Sequence, residues 1–133
     1  MVFVNKNSGP LILVVENVEE TRDGIERLLK ADGYRVEPTR TPEEAILKAR
    51  FESPHLILMC PTGPTLQVIR SANQIRQEAS LKGDVPVVIF CVEEVPEGEE
   101  MAIGHNIYLT RLDNFNQLRD FIWRLLNWLP TEV

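Results

Sequence analysis

The residues of this 133-residue chain best suited to chemistry stand at the ends of apolar runs. Pro54-His55-Leu56-Ile57-Leu58-Met59 ends on Cys60, and Pro86-Val87-Val88-Ile89-Phe90 ends on Cys91. Leu11-Ile12-Leu13-Val14-Val15 ends on the polar pair Glu16-Asn17. A cysteine can act as a nucleophile, a soft metal ligand or half of a reversible disulfide, depending on its pKa and exposure. Glu16 offers a hard oxygen ligand or a proton acceptor, and Arg111 a permanent positive charge near the chain's end. The two cysteines lack CxxC spacing and the only histidines are His55 and His105, so no metal site is expected. Neither histidine reads as catalytic, one starting a strand and the other lying in a loop.

These residues need elements to hold them. The apolar runs at 11–15, 55–60 and 86–91 are too short for buried helices and suit strands covered on both faces, as in a parallel sheet. Tyr34-Arg35-Val36-Glu37-Pro38 alternates and ends on proline, which predicts a strand near one edge. Ile107-Tyr108-Leu109 gives a fifth short strand. Between the strands, Ile25, Leu28 and Leu29 mark a helix from about Glu19 to Ala31, with Gly33 just beyond its end. Thr41-Pro42-Glu43-Glu44 predicts a helix start with a capping box, its apolar face formed by Ala45, Ile46, Ala49 and Phe51. Leu66, Ile69, Ala72, Asn73 and Ile75 outline a third helix. Asn114 and Gln117 predict the cap of a last one, with a core stripe of Leu118, Phe121, Ile122, Leu125 and Leu129. In the stretch 93–100, with five glutamates, any helix must be short or distorted because Pro96 and Gly98 oppose it.

Strand and helix thus alternate five times, which predicts an α/β fold: a three-layer, doubly wound parallel sheet with right-handed crossovers. A strand order of 2-1-3-4-5 brings Glu16, Asn17, Cys60 and Cys91 to one cleft, at the carboxyl ends where such sheets bind ligands. The chain length suits one domain, expected over 11–129, with a short extension at 1–10 and a tail at 130–133. A net charge of −6 argues against a general affinity for nucleic acid or anionic membranes. The longest apolar run, 85–92, is far short of a membrane span, and residues 1–9 have no signal-peptide core, so a cytoplasmic protein is expected.

In this order the segments resemble the receiver domain of two-component response regulators, over nearly the whole chain from Leu11 to about Leu129. Glu16-Asn17 looks like that family's metal-binding acidic pair, and Cys60 stands where its phospho-accepting aspartate belongs. Pro64 is similar to the proline of the following loop. Cys91 takes the place of the Thr/Ser switch residue, Tyr108 that of the aromatic switch, and Arg111-Leu112 that of a Lys-Pro pair. The resemblance implies a flavodoxin-like fold and a role in phosphorelay signalling with a histidine kinase or downstream effector as partner. The departures carry as much information as the match. A thiol cannot form an aspartyl phosphate, and Mg²⁺ wants hard oxygen ligands, so Mg²⁺ binding is expected to be weak or absent. Arginine's planar fork does not replace lysine's point charge.

The expected protein is a receiver-like module that is not an enzyme and works by protein contact without accepting phosphate. One alternative is a redox switch through Cys60 and Cys91, against which stands the reading of both as small apolar fillers. Another is a receiver phosphorylated at a different residue. Glu16 and Arg111 could pair across the vacated pocket or remain separately solvated. The glutamates at 93–100 suit either an acidic docking surface or a solvated loop. Trp123 and Trp128 fall beside the core stripe of the last helix, which suits a partner contact, or a homodimer through 92–129, as well as shielding of their own core.

Overall fold

The computed structural model describes residues 9–60, 63–90, 92–112 and 114–127. Strands β1 (Leu11–Val15), β2 (Arg35–Thr39), β3 (Leu56–Met59), β4 (Val87–Ile89), β5 (Glu99–Ala102) and β6 (Ile107–Arg111) form one sheet in the order β2-β1-β3-β4-β6-β5. All pairings are parallel except β5 with β6. The helices are α1 (Glu19–Ala31), α2 (Pro42–Phe51), α3 (Thr65–Glu78) and α4 (Phe115–Asn127). The predicted α/β architecture and its 2-1-3-4-5 parallel order are present, β6 being the fifth parallel strand.

The period-2 alternation of the strands divides the core into two layers. Leu13, Val15, Ile57, Met59, Val87, Ile89, Ile107 and Leu109 face α2 and α3, packing on Ala45, Ile46, Ala49, Val68, Ala72 and Ile75. Ile12, Val14, Leu56, Leu58, Val88 and Phe90 face α1 and α4, packing on Ile25, Leu29, Leu118, Phe121 and Ile122. Burying each large aliphatic side chain contributes about 1.5–3 kcal/mol, against about 1 kcal/mol for a helix cap. The two apolar layers therefore hold the fold, and the caps set where elements begin.

Those caps follow the sequence closely. Thr41 Oγ1 accepts the Glu44 N–H at 3.1 Å, while Glu44 Oε1 reaches back to the Arg40 N–H at 3.2 Å, one residue beyond the usual capping-box return. Asn114 Oδ1 accepts the Gln117 N–H at 3.1 Å. Gly33 follows α1 with a φ of +94°, a conformation that L side chains avoid. Two helix faces differ from expectation. Phe51 is 94% exposed, because α2 meets the sheet through Ala45, Ile46 and Ala49 and ends at Glu52. Leu66 is exposed as well, since Val68, Ala72 and Ile75 already fill the buried face of α3.

The largest departure lies between β4 and β6. Strand and helix do not alternate a fourth time, as no helix occurs among the described residues of this connection. Pro96 and Gly98 stop one from forming, and the chain instead passes the position of β6 to lay β5 along the outer edge. It returns through a tight turn in which Gly104, His105 and Asn106 have φ values of +96°, +53° and +61°. No helix among the described residues is long and apolar enough to cross a membrane.

Candidate functional site

The parallel register delivers the chemical residues to the carboxyl edge of the sheet. Val15 is the register partner of Met59, so Glu16 and Cys60 are the next residues on neighbouring strands. The Cys60 N–H donates to the Val15 carbonyl at 3.1 Å, which holds this strand end in place. Cys60 is half-buried, and with Asn17 it lines a cleft of about 250 Å³ that also takes in Arg40, Glu43, Gln67 and Ser71. Sequence reasoning missed these last four. Their signal was positional, since Arg40 and Glu43 flank the α2 start and Gln67 and Ser71 lie on the first turns of α3.

Glu16 does not join that lining. It is only 3% exposed, its Oε2 accepts the Val18 N–H at 3.0 Å, and its Oε1 has no hydrogen-bond partner. Arg22, on the first turns of α1, donates to the backbone carbonyls of Glu16 at 3.0 Å and Asn17 at 3.4 Å. The strand-to-helix turn is thus pinned by a cation on its carbonyls, while the Glu16 carboxylate bends back on its own loop.

An ion pair between Glu16 and Arg111 is not formed. Arg111 leaves the strand ends and binds the β4–β5 connection instead, with Nη2 3.3 Å from Glu97 Oε1 and Nη1 3.2 Å from the Glu93 carbonyl. The Gly98 N–H also donates to the Arg111 carbonyl. The physical reason is proximity, since the β5–β6 register pairs Glu99 with Arg111 and brings the acidic stretch alongside. Both partners are substantially exposed, so this pair contributes no more than about 1 kcal/mol.

Tyr108 faces the α4 side of the sheet. Its ring meets Phe121 edge-on, with centroids 5.5 Å apart, and its hydroxyl donates to Asn106 Oδ1 at 3.0 Å. It lines a second cavity with Pro10, His55, Pro86 and Leu125, at the amino end of the sheet and away from Cys60. His55 Nδ1 accepts the Leu11 N–H at 2.9 Å, a structural bond at the strand start. Trp123 is 60% exposed and borders an open hollow with Asp32, Tyr34 and Arg119. Cys91 and Trp128 lie outside the described residues, and so does any contact between Cys91 and Cys60.

The donors on the strand ends themselves are one carboxylate with a single open oxygen, a neutral amide and a thiol, and the second carboxylate of the cleft, Glu43, comes from the start of α2. Mg²⁺ asks for six hard oxygens in octahedral array, so this set fits it poorly. Among the described residues no three His, Cys, Asp or Glu side chains lie close enough together to hold a metal.

No protein-family model matches the chain, and no curated protein matches it in sequence. Solved structures do match in shape. The response regulator TrrA of Thermotoga maritima, solved with Mg²⁺-BeF, is 20% identical with a TM-score of 0.67, over 88% of this chain and 99% of that one. The receiver domain of a signal-transduction histidine kinase from Syntrophus aciditrophicus is 17% identical, with a TM-score of 0.72 over 94% of this chain and 96% of its own. The receiver domain of a Pseudomonas aeruginosa sensor histidine kinase, with magnesium in its active-site cleft, is 21% identical, with a TM-score of 0.68 over 90% and 99%. At this level of identity it is the fold that is shared: the chain has the flavodoxin-like fold of receiver domains, with strand β5 in the connection between β4 and β6.

Proposed function

We propose that this chain is a signalling module of the two-component type that acts by binding another protein and does not accept phosphate. The observation that carries this reading is Cys60, a thiol placed where the fold presents its reactive group. Two further features support it. Among the strand-end residues only Glu16 carries a carboxylate, one oxygen of which is tied to Val18, and Arg111 is held by Glu97 and Glu93 rather than aimed at the cleft. Phosphoryl transfer depends on a carboxylate nucleophile, a divalent ion and cationic donors acting together. With all three altered, the scaffold and its surface are what remain for function. TrrA has been crystallised with the histidine kinase ThkA, and a partner of that kind, or a downstream effector, is the proposed class here.

The test is incubation with acetyl phosphate and Mg²⁺ followed by intact-mass measurement. Addition of one phosphoryl group to the wild-type chain, mapped to any residue, would overturn the proposal. No addition to the wild type is expected.

A further inference from the structure

Among the described residues β5 is the outermost strand of the sheet, with nothing paired to its outer side. The Ile103 N–H donates to the Ile107 carbonyl at 3.0 Å, so Ile103 belongs to the hydrogen-bonded pairs of this antiparallel ladder. Alternation by twos puts Met101 in the same set, so the N–H and C=O groups of Glu100 and Ala102 point away from β6; the regular ladder stops at Glu99, whose N–H donates to the Pro96 carbonyl. All four β5 residues are exposed, and β5 ends the sheet. Met101 and Ile103 share a face with their partners Leu109 and Ile107, on the side of α2 and α3, but do not belong to the buried core there. They are 46% and 37% exposed.

Charge selects the occupant. Glu99 and Glu100 lie on the strand itself and Glu93, Glu94 and Glu97 in the connection that leads into it, and among the described residues only Arg111 and Arg124 form ion pairs with them. A second copy paired edge to edge would crowd four glutamates, Glu99 and Glu100 from each chain, into one short ladder. That ladder would hold four negative charges and no positive one, and their mutual repulsion disfavours it. A strand carrying lysine or arginine meets no such penalty. We infer that the outer edge of β5 binds an extended segment of a partner protein in which Lys or Arg alternates with apolar residues, added to the sheet as a further strand. Its backbone pairs with Glu100 and Ala102, its apolar side chains cover Met101 and Ile103, and its cations answer the glutamates. This site is remote from Cys60 and holds whether or not the chain accepts phosphate.

The experiment uses the full chain and a soluble eight-residue peptide of alternating Lys and Val, capped at both ends and labelled for fluorescence anisotropy. Binding to the wild type is expected, weakening as salt is raised, with slowed amide exchange at Glu100 and Ala102. Ala102→Pro removes one outward donor at an edge position where proline is tolerated. It should cost at least about tenfold in affinity while the unfolding temperature stays near that of the wild type. Met101→Asp should weaken binding by a similar factor. Equal binding by Ala102→Pro, or binding without protection of those two amides, would reduce the contact to loose charge attraction and overturn the inference. Self-association of the wild type that Ala102→Pro abolishes would overturn it in favour of a second copy.

Discussion

Restoring a carboxylate at the β3 end should make the fold depend on Mg²⁺ where the natural chain does not. The perturbation is the double substitution Asn17→Asp with Cys60→Asp. Cys60 is on the strand beside that of Glu16, and adjacent strands lie about 4.8 Å apart. At that spacing two carboxylates would repel by about 3 kcal/mol at an effective dielectric of 20, and the turn of the Glu16 carboxylate toward Val18 lengthens the separation and reduces this. Glu16 is only 3% exposed, so solvent offers its charge little relief, whereas the half-buried position of Cys60 lowers the expected cost to about 2–3 kcal/mol. For a chain of this length that corresponds to a fall of roughly 8–12 °C in unfolding temperature. Mg²⁺ at one hundred times its dissociation constant would return about 2.7 kcal/mol, close to the whole loss. The assay is thermal unfolding with and without MgCl₂, for the natural chain and the variant. The natural chain should show no Mg²⁺-dependent shift, and the variant should recover most of its loss. A natural chain stabilised by Mg²⁺ as strongly as the variant would refute the reasoning, because its own donors would then already suffice.

Three further outcomes follow from the packing. Phe121→Ala removes a buried ring that meets Tyr108 edge-on and lies 5.2 Å from the Arg124 guanidinium; it should destabilise by about 3–5 kcal/mol in urea unfolding. Arg111→Ala should change stability by less than about 1 kcal/mol, because its pair with Glu97 is exposed, yet should speed amide exchange through residues 97–99. Burial, and secondarily the charge of Asp32, holds the Tyr34 phenol above its ordinary value of 10.0. The stability it contributes is complete below pH 10 and is lost as pH rises through the folded-state value. Tyr34→Phe should therefore lose less stability than the natural chain between pH 9 and pH 11, measured by urea midpoints.

Most of the fold was legible because it rests on patterns internal to short segments. Runs such as Leu11–Val15 can only be strands buried on both faces, and Thr41-Pro42 with Glu44 is a helix start that needs no tertiary help. The stretch 93–102 was legible only in the negative. Pro96 and Gly98 argue against a helix, but nothing within Glu99-Glu100-Met101-Ala102 argues for a strand, since glutamate and alanine are poor strand formers. That strand exists because β6 had an open edge beside it, a property of the assembled sheet. The site divided along the same line. That Cys60 and Asn17 line one cleft follows from parallel strand order, whereas the destination of Arg111 depended on which acidic residues the unforeseen strand carried alongside.

The turn at Gly104-His105-Asn106 bears on how the sheet is completed. Elsewhere each parallel strand reaches its neighbour after a helical crossover, and pairing must await closure of a long loop. Strands β5 and β6 lie only a few residues apart and form an antiparallel hairpin, a unit that closes in microseconds. β6 can therefore arrive at β4 already paired on its outer side, which lowers the entropy still to be lost when its inner side zips up. A step that in a fully parallel sheet ranks among the last and slowest becomes the docking of a preformed ribbon, and the three left-handed residues of its turn become a control point for folding rate.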